Sequence, residues 1–326
     1  MDDLNTNPSQ NNLQDDNNLN NENQRDNFPG HHIQPRISPI AAAFIGLFGG
    51  FFLYQLVGGL LTLAVFGFDL KNAPVQSVRL MTMAGQILFI LLPALVFAKW
   101  FYEDVTDIIR FKLPRWEEIL LFTLGIVILT PMLQYYLSIQ NYFINQWALH
   151  STFISSIKLS LDKLNDMVEQ TYGNLLTVHT ISGGILVIIV VAIVPAICEE
   201  VMFRGYIQRS FEFKMKPFWA AIITAIFFGI YHFNPYGLLP LIGLGFYFGY
   251  AAYMSNSIAV PMSLHFFNNF TAVIFYFIFG QDDSLNSTID KNFDLNSSIL
   301  ILVSLMFLFG VVMFLINKYY AKAKSA

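Results

Sequence analysis

Apolar residues along this chain come in long unbroken runs, not in the period-two alternation of a half-buried strand or the narrow stripe of a surface helix. Runs near the roughly 20 residues that span a bilayer as a helix lie at about Ile40 to Phe66, Leu80 to Phe101, Ile119 to Leu137, Ile181 to Phe203, Pro217 to Phe233, Tyr236 to Met254, Ile258 to Gly280 and Ile299 to Tyr319. They predict an all-α, polytopic membrane protein of about eight transmembrane helices around a polar intramembrane cavity. Lys and Arg gather in alternate connections: Arg110, Lys112 and Arg115 after the second run, Arg209, Lys214 and Lys216 after the fourth, and Lys318, Lys322 and Lys324 at the C-terminus. Cytoplasmic loops carry such an excess. Both termini are therefore expected in the cytoplasm, with the protein in the cell (inner) membrane.

Between the third and fourth runs, Ile157, Leu161, Leu164 and Val168 recur at helical spacing. That periodicity predicts an amphipathic helix on the outer surface, acting as a lid over a membrane site. His150 and His179 in this connection are expected to be solvated.

Composition sharpens the picture. Of 326 residues, 55% are hydrophobic, 16% aromatic and only 12% charged, against roughly 25% charged in an ordinary soluble domain, and mean hydropathy is +0.52. The net charge of -4 and the lack of basic runs argue against nucleic acid as a partner. The lone Cys198 carries no message about redox compartment. The division expected is a disordered Asn/Asp-rich cytoplasmic tail over 1–37, N-terminal transmembrane helices with the external segment over 38–180, a helical core over 181–275, and an acidic external loop, last helix and basic tail over 276–326. The tail lacks the pattern of a signal peptide, so the first span is expected to direct insertion.

Ionisable groups at membrane depth are costly unless paired or facing a wet cavity, and here they are few: Glu199, Glu200 and Arg204 on the fourth run, His232 closing the fifth, and His265 with Asn268 and Asn269 in the seventh. Glu199 and His232 are each roughly 16 residues, or about 25 Å at helical rise, from the turn near Lys214 to Pro217, and His265 is about 15 Å in from the turn near Ser255. A common level follows. Glu200 and Arg204 are i, i+4, the spacing of an ion pair, whereas Glu199 is rotated by about 100° from Glu200. Glu199 is then the candidate general base, in an apolar setting beside histidines. His265 and Asn269, also i, i+4, present donors that suit an oxyanion on a peptide carbonyl.

These residues together suit hydrolysis of a peptide bond by an activated water. Ser263 lacks a nucleophile elbow, no Asp falls in a span for an aspartyl dyad, and no His-Glu-x-x-His occurs. Packing is expected of Phe228 and Tyr231, and close helix approach of Gly243, Gly245 and Gly249.

Glu199-Glu200-x-x-x-Arg204, Phe228-x-x-x-His232 and His265-x-x-x-Asn269, in this order on separate apolar runs, resemble the three-motif signature of the CPBP (Abi) family, which includes the type II CAAX prenyl endopeptidases. The resemblance covers roughly residues 180–275. It implies an intramembrane endopeptidase in which Glu199 activates water with His232, His265 and Asn269 form the oxyanion site, and Glu200, Arg204 and Phe228 support them. Its substrate would be a membrane-bound peptide or protein, lipidated in the CAAX manner in some members. Metal dependence is left open: Glu199, His232 and His265 could ligate zinc through two imidazoles and a carboxylate, while the pairing of His265 with Asn269 favours a site without metal. Two other functions fit the same residues, a proton-coupled transporter and a non-catalytic scaffold or bacteriocin self-immunity protein.

Overall fold

The computed structural model describes residues 35–67, 73–102, 104–280 and 293–325. The tail over 1–34 and most of the acidic loop after the seventh run lie outside the described residues. Among those described there are helices and no strand: α1 (Pro39–Phe66), α2 (Val75–Tyr102), the short α3 (Val105–Ile109), α4 (Trp116–His150), α5 (Thr152–Leu176), α6 (Ile181–Glu212), α7 (Pro217–Tyr231), α8 (Leu238–Ser255), α9 (Ala259–Phe279) and α10 (Leu295–Ser325). Seven of them are long and apolar enough to cross a membrane. The chain is thus a multi-pass membrane protein, helical because lipid leaves each backbone N–H and C=O to be satisfied within its own segment.

Two elements differ from the expected spans. The fifth, α7, is a helix of 15 residues, short for a full crossing. It opens on Pro217, whose fixed φ suits the first helical turn, and ends where His232 takes the C-cap position. The third run is the core of a helix of 35 residues that continues to His150, so the connection to α6 is shorter than its polarity suggested.

Four of the long helices pack around one apolar centre, made by Phe122, Ile126 and Leu129 of α4, Tyr247, Phe248 and Ala251 of α8, Val260 and Leu264 of α9, and Val312 and Ile316 of α10. Glycines of α8 permit close approach of α7 and α6. A methyl group at Gly245 would stand 2.9 Å from Phe228 Cδ1, and one at Gly249 would stand 2.6 Å from Gln208 Oε1. The small-xxx-small spacing lets Arg204 and Gln208 of α6 reach backbone carbonyls of α8.

The amphipathic helix is present as α5, but its polar face is the one turned toward the protein. Phe153, Ile157, Leu164 and Met167 are exposed, whereas Lys158, Asp162 and Glu169 are half-buried and Asn165 is buried. Leu161 and Val168 of the predicted stripe are half-buried at its margin. The C-terminal carbonyls of α5, which helix geometry leaves without partners, are taken by a cation from another helix: Arg79 of α2 donates from Nε to the Leu175 carbonyl at 2.9 Å and from Nη2 to the Thr177 carbonyl at 2.5 Å.

Candidate active site

The two adjacent glutamates sit on a deliberately irregular stretch of α6. Residues Val194–Glu200 form an α-helical stretch between two π-helical ones, Ile189–Ile193 and Val201–Ile207, the kind of widened turn that recurs at functional sites. Pro195 contributes to the irregularity, since it has no N–H to offer the carbonyl of Val191 four residues earlier. The side-chain amide of Asn269, on α9, donates to that carbonyl at 3.0 Å. Arg110, held in a left-handed conformation at φ 57° after α3, donates to the Arg204 carbonyl at 3.2 Å and pairs with Glu212 at 2.9 Å. Both π-helical stretches are thereby braced from outside α6.

Glu200 is fully buried and doubly held. Arg204 Nη1 donates to Glu200 Oε1 at 2.9 Å, and His265 Nδ1 lies 2.8 Å from the same oxygen. Arg204 spends Nη2 on the Gly245 carbonyl at 2.9 Å, and its guanidinium lies over Phe228, 4.5 Å from the ring centroid. Removing a charge from water costs several kcal/mol, and a pair of good geometry with extra hydrogen bonds offsets it. Here the extra partners are an imidazole, a backbone carbonyl and an aromatic face.

Glu199, half-buried, points elsewhere, as the helical rotation requires. Its Oε2 is buried without a hydrogen-bond partner. Its charge reaches Tyr54 of α1, which hydrogen-bonds Gln86 of α2, and Tyr172 of α5. Tyr172 is 40% exposed, yet burial of its hydroxyl first and the Glu199 carboxylate second raise its pKa. Neither Tyr54, Gln86 nor Tyr172 stood out in the sequence, because a phenol or amide in an apolar run is ordinary until a carboxylate is placed near it.

Phe228 is the hub of the aromatic contacts. Its ring centroid is 4.7 Å from that of His232 and 6.0 Å from that of His265, and Phe248 stacks on His265 at 5.3 Å. His232 Nδ1 lies 2.7 Å from the Phe228 carbonyl. A carbonyl only accepts, so Nδ1 carries the proton and, in the neutral ring, Nε2 is left as an acceptor. Asn268 bonds Thr130 of α4 at 3.2 Å and the Asn269 side chain at 3.2 Å, which locks the Asn269 amide with one N–H on Val191 and leaves the second.

Among the described residues no group of three His, Cys, Asp or Glu side chains is arranged to hold a metal ion. The zinc set of Glu199, His232 and His265 that the residue types allowed is not assembled. His265 Nδ1 is turned to Glu200, His232 Nδ1 to a carbonyl, and both imidazoles pack against the ring of Phe228. These side chains do not fit the metal in this arrangement.

The fold and the buried charges define an all-helical membrane protein with a carboxylate–imidazole centre shared by separate helices. Residues 181–271 match the family model described as type II CAAX prenyl endopeptidase Rce1-like. A stretch of 89 residues is 36% identical to the protein named "Putative membrane peptidase YdiL" of Bacillus subtilis (strain 168), covering 27% of this chain and 36% of that protein. The chain thus spans about a third of the length of the curated relative it matches. No solved structure matches. The likeness to CAAX-type membrane proteases is thus carried by residues 181–271.

Proposed function

We propose that this protein is an intramembrane endopeptidase that hydrolyses a peptide bond of a membrane-associated, lipidated peptide or protein. The observation that carries the reading is the contrast between two neighbours on α6: Glu200 is fully buried with Arg204 and His265 both on its Oε1, whereas Glu199 is only half-buried and carries a buried Oε2 without a hydrogen-bond partner; Oε2 of Glu200 also lacks one, but on a side chain closed off from solvent. A buried acceptor calls for a donor, and a water there is within reach of the base it needs.

In this reading Glu199 takes a proton from the water as its oxygen attacks the scissile carbonyl carbon. His232, through the Nε2 that its bond to Phe228 leaves as acceptor, orients the water. The charge that develops on the carbonyl oxygen meets the second N–H of Asn269 and the imidazole of His265, which Glu200 holds through Nδ1. As the C–N bond breaks, the proton held by Glu199 passes to the leaving amine, giving a carboxylic acid and an amine. Glu200, Arg204 and Phe228 fix the histidines. In this reading the core of the chemistry is the segment 181–275, and the basic connections support both termini on the cytoplasmic face of the cell membrane.

The test compares membrane fractions of wild-type and Glu199→Gln cells for peptides trimmed only in the former, alongside purified protein given a quenched-fluorescent farnesylated Cys-a-a-X peptide. Trimmed products that vanish in the variant support the reading. Identical peptide sets, with a phenotype that survives the substitution, would instead fit a scaffold or immunity protein, and proton-coupled uptake into vesicles would fit a transporter.

A further inference from the structure

The polar face that α5 turns inward meets the loop that carries His232. We infer that Asp162 of α5 and Tyr236 form a positioning pair that fixes the His232 loop, and that α5 is a strap holding that loop in register with Glu200 and His265.

The loop between α7 and α8 is short and strained. Phe233, directly after His232, takes a left-handed φ of 48°, a conformation that a bulky side chain keeps only where its surroundings impose it. Gln55 of α1 donates to the Tyr231 carbonyl at 2.8 Å, Phe233 packs on Phe51 with centroids 5.8 Å apart, and Asn234 accepts from the Gly237 N–H at 2.7 Å. The far end is tied through Tyr236: its carbonyl accepts from Gln140 of α4 at 3.0 Å, and its hydroxyl donates to Asp162 Oδ1 at 2.5 Å. Asp162 is in turn paired with Lys158 one turn earlier on α5, at 2.6 Å.

Of these ties the Tyr236–Asp162 bond is the charge-assisted one, and such bonds are shorter and roughly twice as strong as neutral ones. Tyr236 is buried, and its hydroxyl meets the half-buried carboxylate of Asp162. The strap itself cannot drift, because Arg79 holds the last carbonyls of α5 and Leu176 packs with Val187 of α6 and Val273 and Tyr276 of α9. A displacement of Tyr236 is passed through the three residues between it and His232, among them the left-handed Phe233, to His232, whose own tautomer depends on the Phe228 carbonyl. Asp162 does not touch the reacting atoms. It acts through Tyr236.

The positional role rests on the peptidase reading, but its first test does not. Hydrogen exchange of the amides over 232–237 is measured in purified Tyr236→Phe, Asp162→Ala and the double variant. The expected result is a rise of about tenfold confined to this loop, equal in the two single variants and no larger in the double, as for members of one pair. Where the farnesylated peptide is turned over, kcat falls by about the same factor with KM and the unfolding midpoint unchanged. Wild-type exchange in both single variants would overturn the inference, as would faster exchange spread through all helices with a lowered midpoint. A wild-type protein without turnover would end the peptidase reading, while the exchange data would still decide this one.

Discussion

His265 on α9 and Arg204 on α6 meet on a single oxygen of Glu200, at 2.8 and 2.9 Å. The neighbouring glutamate is excluded from that arrangement by its rotation around the helix. Two identical side chains one residue apart thus have different surroundings, one closed by a guanidinium and an imidazole, the other left for the proposed role of general base.

That division predicts opposite signatures for two isosteric substitutions. Glu200→Gln leaves the buried Arg204 without its paired carboxylate, a situation that costs about 3–5 kcal/mol, so the unfolding midpoint in detergent should fall steeply and turnover with it. Glu199→Gln should abolish turnover of the farnesylated peptide at an unchanged midpoint. Equal melting behaviour of the two variants would contradict the assignment.

Gly245 should tolerate no side chain. A methyl group there would stand 2.9 Å from Phe228 Cδ1, and Phe228 is packed on Arg204 and both imidazoles, so it cannot swing aside cheaply. Gly245→Ala is expected to cost about 1–3 kcal/mol through overpacking, measured by thermal unfolding, and to slow turnover. Gly310, with nothing within 4 Å of its added methyl group, provides the control: Gly310→Ala should leave both unchanged.

The spans were legible because bilayer crossing demands long apolar runs, a demand that hardly depends on tertiary context. The pairing of Glu200 with Arg204 was legible because both lie on one helix, where spacing sets geometry. The partner of His265 was not. Helical spacing fixes Glu199 relative to Glu200, but nothing local fixes how α6 is rotated against α9. The Asp162–Tyr236 bond joins residues 74 apart across a helix and a loop, and it is visible only once α5 is seen to turn its polar face inward. The Asn269–Val191 bond had a usable signal: Pro195 announces an unpaired carbonyl four residues earlier.

Asn269→Ala removes a donor from that carbonyl and from the proposed oxyanion site together. A buried acceptor left unpaired costs about 1–3 kcal/mol, and loss of one oxyanion donor lowers kcat by roughly a hundred- to a thousandfold. Thermal unfolding and steady-state kinetics separate the two. A variant with the lowered midpoint but wild-type kcat would confine Asn269 to bracing α6.

The Asp162 clamp carries a pH dependence whose sign follows from its neighbours. Burial works to raise the Asp162 pKa, but the hydrogen bonds from Lys158 and Tyr236 and the charge of Lys158 outweigh it and hold the carboxyl below its ordinary value. Burial and the carboxylates of Asp162 and Asp166 raise the Tyr236 phenol, so it stays protonated well above neutrality. A carboxyl lowered on folding contributes its stabilisation in full above its unfolded value of about 3.9 and loses it as pH falls through the lower, folded value. The ratio of loop exchange in Asp162→Ala to that in wild type should therefore be constant from neutral pH down to about pH 4, then shrink toward one on further acidification as the wild type loses its carboxylate. A ratio that already collapses between pH 7 and 5 would assign the clamp to another group.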